Sequence, residues 1–368
     1  MRNTILFVAL GFVALLILVV GGWEFLSPRL SGSNASVARA GPLPQAPDTV
    51  QAAFQRGDYV TVLQYWQPRA DQGDANGEFV LGLLSAKGWG LPQDAAASVT
   101  WYLKSANQGY GPAELNLGLD FENGTGVAKD ITQAMGWLQK AADQGLPGAQ
   151  DELCWIYHAG VDVPKNLATA LDLCRKASDQ GYAPGQFHLG VLFEEGDVVA
   201  KDETRAFALY QMAANQGLAM AQYNLGVMYG SGVGVAQDDA QAREWYLKSA
   251  EQGDVKAEFN LAHIYEDGVG APADPAQALA WYRKAADQGY AKAQHNLGLM
   301  YGKGEGVQQS DLQAYEWFSL AVANYPADDA DDRAEAGRNR DVAASRLTPD
   351  QLAVAQGWVA AWKAAPAP

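Results

Sequence analysis

The chain has 368 residues and an acidic balance, with 42 Asp and Glu against 26 Lys and Arg. That length suits two or three globular domains or one long repeat array, and 48% hydrophobic residues argue against wholesale disorder. No basic run or basic–aromatic stripe is present, which argues against nucleic acid, and the two cysteines exclude a disulfide scaffold or a four-ligand zinc site.

Residues 1–26 carry an uncharged apolar run from Ile5 to Trp23. As a helix, its 19 residues rise about 28 Å, close to the thickness of a bilayer core. A cleaved signal peptide is the alternative, but the Ala38-Arg39-Ala40 triplet lies 15 residues beyond the run, too far for ordinary processing. The segment therefore reads as a single transmembrane anchor. Arg2 precedes it and Glu24, Arg29 and Arg39 follow, so the positive-inside count does not fix its orientation. The short leader favours a cytoplasmic N-terminus and a domain outside the cytoplasm. Residues 27–47, rich in Ser, Gly, Ala and Pro, read as a linker. Residues 48–73 read as a helical hairpin with Gly57 in its turn.

From 74 to 326 the chain repeats itself. Gln-Gly recurs from Gln72-Gly73 to Gln288-Gly289 in steps of 36 residues. A small residue keeps the same period at Gly82, Gly118, Cys154, Gly190, Gly226, Ala262 and Gly298. A capping residue does so at Asp94, Asp130, Asn166, Asp202, Asp238, Asp274 and Ser310. A period of this length means stacked helical hairpins. In the unit Ala221–Gly253 the first helix spans about Ala221–Tyr229, and Gly226 lets the second helix approach closely. Gly230, Gly232 and Gly234 are expected to break the first helix and supply positive-φ positions in the connection, Asp238 to cap the second helix, and Gln252-Gly253 to end it. One hairpin leaves two apolar flanks open, so stacking completes the core. Residues 327–368 read as capping helices, with Thr348, Pro349 and Gln351 forming a helix start.

The string from Ala221 to Asp254, AQYNLGVMYGSGVGVAQDDAQAREWYLKSAEQGD, resembles the Sel1-like repeat, a relative of the tetratricopeptide repeat. The Arg346–Gln351 segment is similar to the terminal segment of bacterial members. The resemblance implies an all-α, right-handed α-solenoid. It also implies a role in protein–protein interaction: an adaptor or regulator of the bacterial cell envelope, an assembly scaffold, or an immunity-type protein neutralising a secreted toxin. Its expected location is the bacterial inner membrane, with the repeats in the periplasm.

No catalytic residue, metal or cofactor site, or small-molecule substrate is expected. His158, His188, His263 and His295 occupy different registers without a helical metal pair. The glycine loops recur in every unit and join helices, so they read as turns. Cys154 replaces the close-contact glycine of one unit, and Cys174 takes a place held by tyrosine elsewhere. Two readings stand, a volume exchange between buried thiols and a disulfide within the hairpin. A further register holds Val80, Asn116, Glu152, His188, Asn224, Asn260 and Asn296. The resemblance to tetratricopeptide superhelices implies that it faces the concave groove, where Asn116, Glu152, His188, Asn224, Asn260 and Asn296 would contact a partner protein. The alternative is that the asparagines bond neighbouring units and hold the stack together.

Overall fold

The structure, a computed structural model, describes residues 44–270 and 272–364. Every regular element among the described residues is a helix. A lead hairpin, α1 (Asp48–Gln55) and α2 (Tyr59–Asp71), precedes seven two-helix units. The first three units are α3 (Ala75–Lys87) with α4 (Ala95–Asn107), α5 (Gly111–Asn123) with α6 (Ile131–Asp143), and α7 (Pro147–Ala159) with α8 (Leu167–Asp179). The fourth and fifth are α9 (Ala183–Glu195) with α10 (Glu203–Asn215) and α11 (Ala219–Ser231) with α12 (Asp239–Ala250). The last two are α13 (Val255–Asp267) with α14 (Pro275–Asp287) and α15 (Ala291–Lys303) with α16 (Asp311–Asn324). Two closing helices, α17 (Ala330–Ala344) and α18 (Pro349–Ala361), pack against α16. From α1 to α17 each helix packs on the next, giving an all-helical solenoid. The Ile5–Trp23 segment expected to cross a membrane lies outside the described residues. Among the described residues no helix is long and apolar enough to cross one.

The local chemistry of a unit follows its sequence markers. Asp238 caps α12 by accepting from the backbone N–H of Ala240 and Gln241, both at 3.0 Å, and Asp94 caps α4 through Ala97 at 2.9 Å. At the close approach, a Cβ added to Gly226 would lie 2.6 Å from the ring of Tyr246. Gly230 departs from its expected place in the connection, because α11 continues to Ser231. The helix stops at Gly232, whose φ of 71° is open to glycine and whose N–H bonds the Met228 carbonyl. A glycine inside a helix costs about 1 kcal/mol but does not end it; a left-handed cap does.

The recurring glutamine of Gln-Gly has a second role besides sitting at the end of a helix. Gln252 donates through Nε2 to Gln222 Oε1 at the start of its own unit's first helix, at 2.7 Å. Gln222 donates in turn to the Ala214 carbonyl of the preceding unit, at 3.2 Å. This amide clasp ties the two helices of a hairpin together and then ties that hairpin to its neighbour. In three units glutamate takes the acceptor place, so Gln108 donates to Glu78, Gln144 to Glu114 and Gln288 to Glu258, at 2.7 to 2.8 Å.

At Glu258 the carboxylate is a costly acceptor. Burial pushes the Glu258 carboxyl up to about 7, against the opposing pull of Lys284 and the Gln288 amide. A carboxyl raised in the folded state favours folding while protonated, so stability falls as pH rises from the ordinary value of 4.5 towards 7, and the loss persists above that. Glu258→Gln reproduces the acceptor of the other units without the charge. Its melting temperature should match the parent near pH 4.5 and exceed it by roughly 2 °C at pH 8. Thermal melts by circular dichroism at the two values read this directly, and a variant that melts lower at pH 8 would contradict the clasp.

Candidate functional site

The register of Asn116, Glu152, His188, Asn224, Asn260 and Asn296 forms one stripe along successive first helices, α5 to α15. Its members are not equivalent. Asn224 bonds the hydroxyl of Tyr210, Asn260 that of Tyr246, and Asn296 that of Tyr282, in each case a tyrosine of the preceding unit's second helix. Those tyrosines are the rings seated on the close-contact residues. Tyr210 and Tyr282 also donate to Glu194 and Glu266, at 2.5 and 2.6 Å. Burial raises all three phenols well above their ordinary value of 10. These three asparagines thus spend hydrogen-bonding capacity on holding units together.

Asn116 differs. Tyr102, its counterpart tyrosine, bonds Ser98 instead. Ser98 stands where the later units have Ala134, Ala170, Ala206, Ala242, Ala278 and Ala314. The Asn116 amide is buried at 9% exposure, and its Nδ2 has no hydrogen-bond partner among the described residues. One helical turn further along α5 lies Asp120, whose Oδ2 is likewise buried and without a partner. Burial alone lifts its carboxyl to about 7. Every other unit has Leu84, Ile156, Leu192, Met228, Ile264 or Met300 in that register. An unpaired donor and an unpaired acceptor at i and i+4 face the same side of a helix, and together they match the carbonyl and N–H of one peptide group. Composition and period alone did not bring Asp120 out. Comparing residues at one register across the units does.

Glu152 and His188 interrupt the asparagines where the preceding second helix offers Leu138 and Cys174 in place of tyrosine. His188 Nδ1 pairs with the buried Asp151 carboxylate at 2.7 Å, and His158 Nε2 pairs with Glu195 at 2.8 Å. Trp155 sits between them, stacked on His188 at 5.1 Å between centroids and edge-on to His158 at 5.5 Å. The two histidines occupy different registers, so no ladder was legible. They meet because α7 and α9 touch. The other two histidines serve packing. His295 accepts from Asn339 at 3.1 Å and bonds the Tyr325 hydroxyl at 3.2 Å, joining α17 to the array, and burial lowers its basicity. Burial likewise depresses His263, which the Asn296 amide bonds at 3.3 Å. Among the described residues no group of three or more His, Cys, Asp or Glu side chains is arranged to hold a metal ion.

Cys154 on α7 and Cys174 on α8 lie with Cα atoms 5.4 Å apart, joined as a disulfide. The bond occupies the place where four other units seat a ring on a glycine, as Tyr102 on Gly82 and Tyr210 on Gly190.

The repeated geometry has matches among known proteins. The family model for the Sel1 repeat matches seven consecutive segments, 75–110, 111–146, 147–182, 183–218, 219–254, 255–290 and 291–324. A protective antigen present in uropathogenic Escherichia coli strains and displaying an SLR fold is similar at 34% identity and a TM-score of 0.72. That match covers 84% of this chain and 65% of the antigen, so the chain spans about two thirds of it. A Sel1 repeat protein from Oxalobacter formigenes is similar at 30% identity and a TM-score of 0.57, covering 66% of this chain and 95% of its own. No curated protein matches the chain. Seven repeat matches, laid over seven hairpins, establish that the chain belongs to the Sel1 repeat family.

Proposed function

We propose that the protein is a membrane-tethered adaptor of the bacterial cell envelope that binds an extended segment of a partner protein along the stripe of its first helices. Sel1-repeat solenoids are typically interaction scaffolds without catalysis. The observation that carries the reading is the pair of unpartnered buried atoms, Asn116 Nδ2 and Asp120 Oδ2. A buried polar atom without a partner costs about 1–3 kcal/mol, and a bound peptide group recovers that cost. Asn116 and Asp120 act as the anchor. Glu152 and His188, with Trp155 beside them, continue the contact, and Asn224, Asn260 and Asn296 meet the partner with the capacity that their tyrosines leave. The Ile5–Trp23 segment holds the array at the inner membrane, and the 27–47 linker gives it reach, so binding is confined to the membrane surface and gains in effective concentration.

Two measurements test this. Asp120→Leu restores the apolar residue of the other units, so the variant should melt higher than the parent. It should nonetheless bind about tenfold more weakly to a partner captured with the full chain from its native host. Asn224→Ala should do the reverse, melting lower because Tyr210 loses a bond, while weakening binding less than Asp120→Leu does where folded. Equal binding by Asp120→Leu and the parent would remove the anchor.

The membrane side has its own test. An array outside the cytoplasm keeps Cys154 and Cys174 oxidised. After acid quenching of cells that express the full chain, a thiol-reactive polymer should leave its mobility unchanged until a reductant is added. A shift without reductant places the array in a reducing compartment and reverses the orientation.

A further inference from the structure

A second surface lies on the opposite helices of the same units. One register of the second helices holds Trp101, Trp137, Trp245, Trp281 and Trp317, but the third and fourth units have Leu173 and Leu209 there. Four of the indoles are covered by a lysine three residues on, 3.6 to 4.1 Å from the ring centroid. In the fourth unit both halves of that arrangement are gone. Leu209 replaces the indole, and Met212, 49% exposed, replaces the lysine. The result is an open groove of about 650 Å³ between α8 and α10. Leu189 and Phe193 of α9 form its floor with Leu209, and Arg175 and Arg205 stand at its rim.

The chain contains a template for what fills such a place. In the last two units Arg283 of α14 lies over Trp317 of α16, 4.7 Å from the ring centroid. Arg175 and Leu209 have the same separation and the same registers as Arg283 and Trp317. The guanidinium is therefore kept and the ring beneath it is missing. Arg283 is paired with Asp287 at 3.1 Å, whereas Arg175 makes no ion pair among the described residues. Arg205 is paired with Asp202 at 3.1 Å and lies over Phe193, so the guanidinium that the rim offers is that of Arg175, on a chain whose net charge is −16.

We propose that this groove is a docking site for an aromatic side chain of a partner protein, seated under Arg175 where the chain's own indole would lie, in a segment whose flanking residues are acidic. Cation–π contact with Arg175 and apolar contact with Leu189, Phe193 and Met212 hold the ring. Charge pairing with Arg175 selects the flanks. This surface is independent of the first-helix stripe.

The test uses the full chain labelled with carbon-13 at its methionine methyl groups, with the Met212 signal assigned by Met212→Leu. The probe is a five-residue acetylated peptide with tryptophan between two acidic pairs, and its control has alanine at the centre. The tryptophan peptide should shift the Met212 signal saturably and the alanine peptide should not. Leu209→Trp, which fills the groove from within, should abolish the response and raise the melting temperature. Arg175→Ala, at an exposed position, should weaken binding at least tenfold and decides the matter if Leu209→Trp does not fold. The proposal is overturned if no saturable shift occurs, if the alanine peptide acts equally, or if either variant responds like the parent. It is also overturned if Trp23→Ala moves the Met212 signal without peptide, which puts the chain's own N-terminal segment in the groove, or if dilution does so, which puts a second copy there.

Discussion

Outside the disulfide-linked third unit, the hairpins depend on a bulky side chain of the second helix resting on a small residue of the first: Tyr210 on Gly190, Tyr246 on Gly226, Phe318 on Gly298. The contact sets how near the two helices come. It also creates a debt when the ring is a tyrosine, because the hydroxyl goes into the interior with it and needs a partner. Glu194 and Glu266 meet part of that need from the same unit, and Asn224, Asn260 and Asn296 meet it from the next. The asparagine stripe is thus in large part a consequence of the tyrosine stripe one unit earlier. Where the side chain in that place carries no hydroxyl, as with Leu138 and Cys174, the following register is released from that duty and holds Glu152 and His188.

That dependence explains what the sequence disclosed and what it withheld. Period and caps were legible because each is local: an aspartate accepts from amides two or three residues on, whatever the rest of the chain does. The Cys154–Cys174 proximity was legible because the two residues depart from the pattern together within one hairpin. The role of Asn224 was not legible from its own register, since its partner Tyr210 lies in another unit. Only reading the two stripes against each other connects them. Asp120 and Ser98 were visible as single polar residues in otherwise apolar or alanine registers, and a register-by-register comparison isolates both. The meeting of His158 and His188 around Trp155 depends on how α7 and α9 lie side by side, which no spacing in one unit encodes.

Departures from the repeat concentrate in the third and fourth units. There the ring-on-glycine contact is replaced by a disulfide, the asparagines by Glu152 and His188, and the tryptophans by Leu173 and Leu209. In a solenoid, stability is close to a sum of unit and nearest-neighbour terms, so weakened packing in one place is not repaired by distant units. The disulfide lies in that stretch. Closing a chain segment of this size stabilises by about 3 kcal/mol, on the order of what a lost aromatic core contact costs. The covalent bond offsets locally what the altered packing gives up.

The same stretch is altered on both of its sides, and this bears on what the array can do. The first helices α7 and α9 carry the Trp155 cluster, adjoining the Asn116–Asp120 pair on α5, while α8 and α10 border the groove under Arg175. The helices of each unit are packed along their length and clasped end to start by glutamine amides, so the two surfaces belong to one mechanical body. The two proposed surfaces share α9 but use different side chains of it, His188 for the stripe and Leu189 and Phe193 for the groove. On the proposed reading, two ligands held on neighbouring units would be brought together without sharing side chains. That is the physical content of an adaptor: the gain in effective concentration comes from the rigidity of the hairpins between the sites.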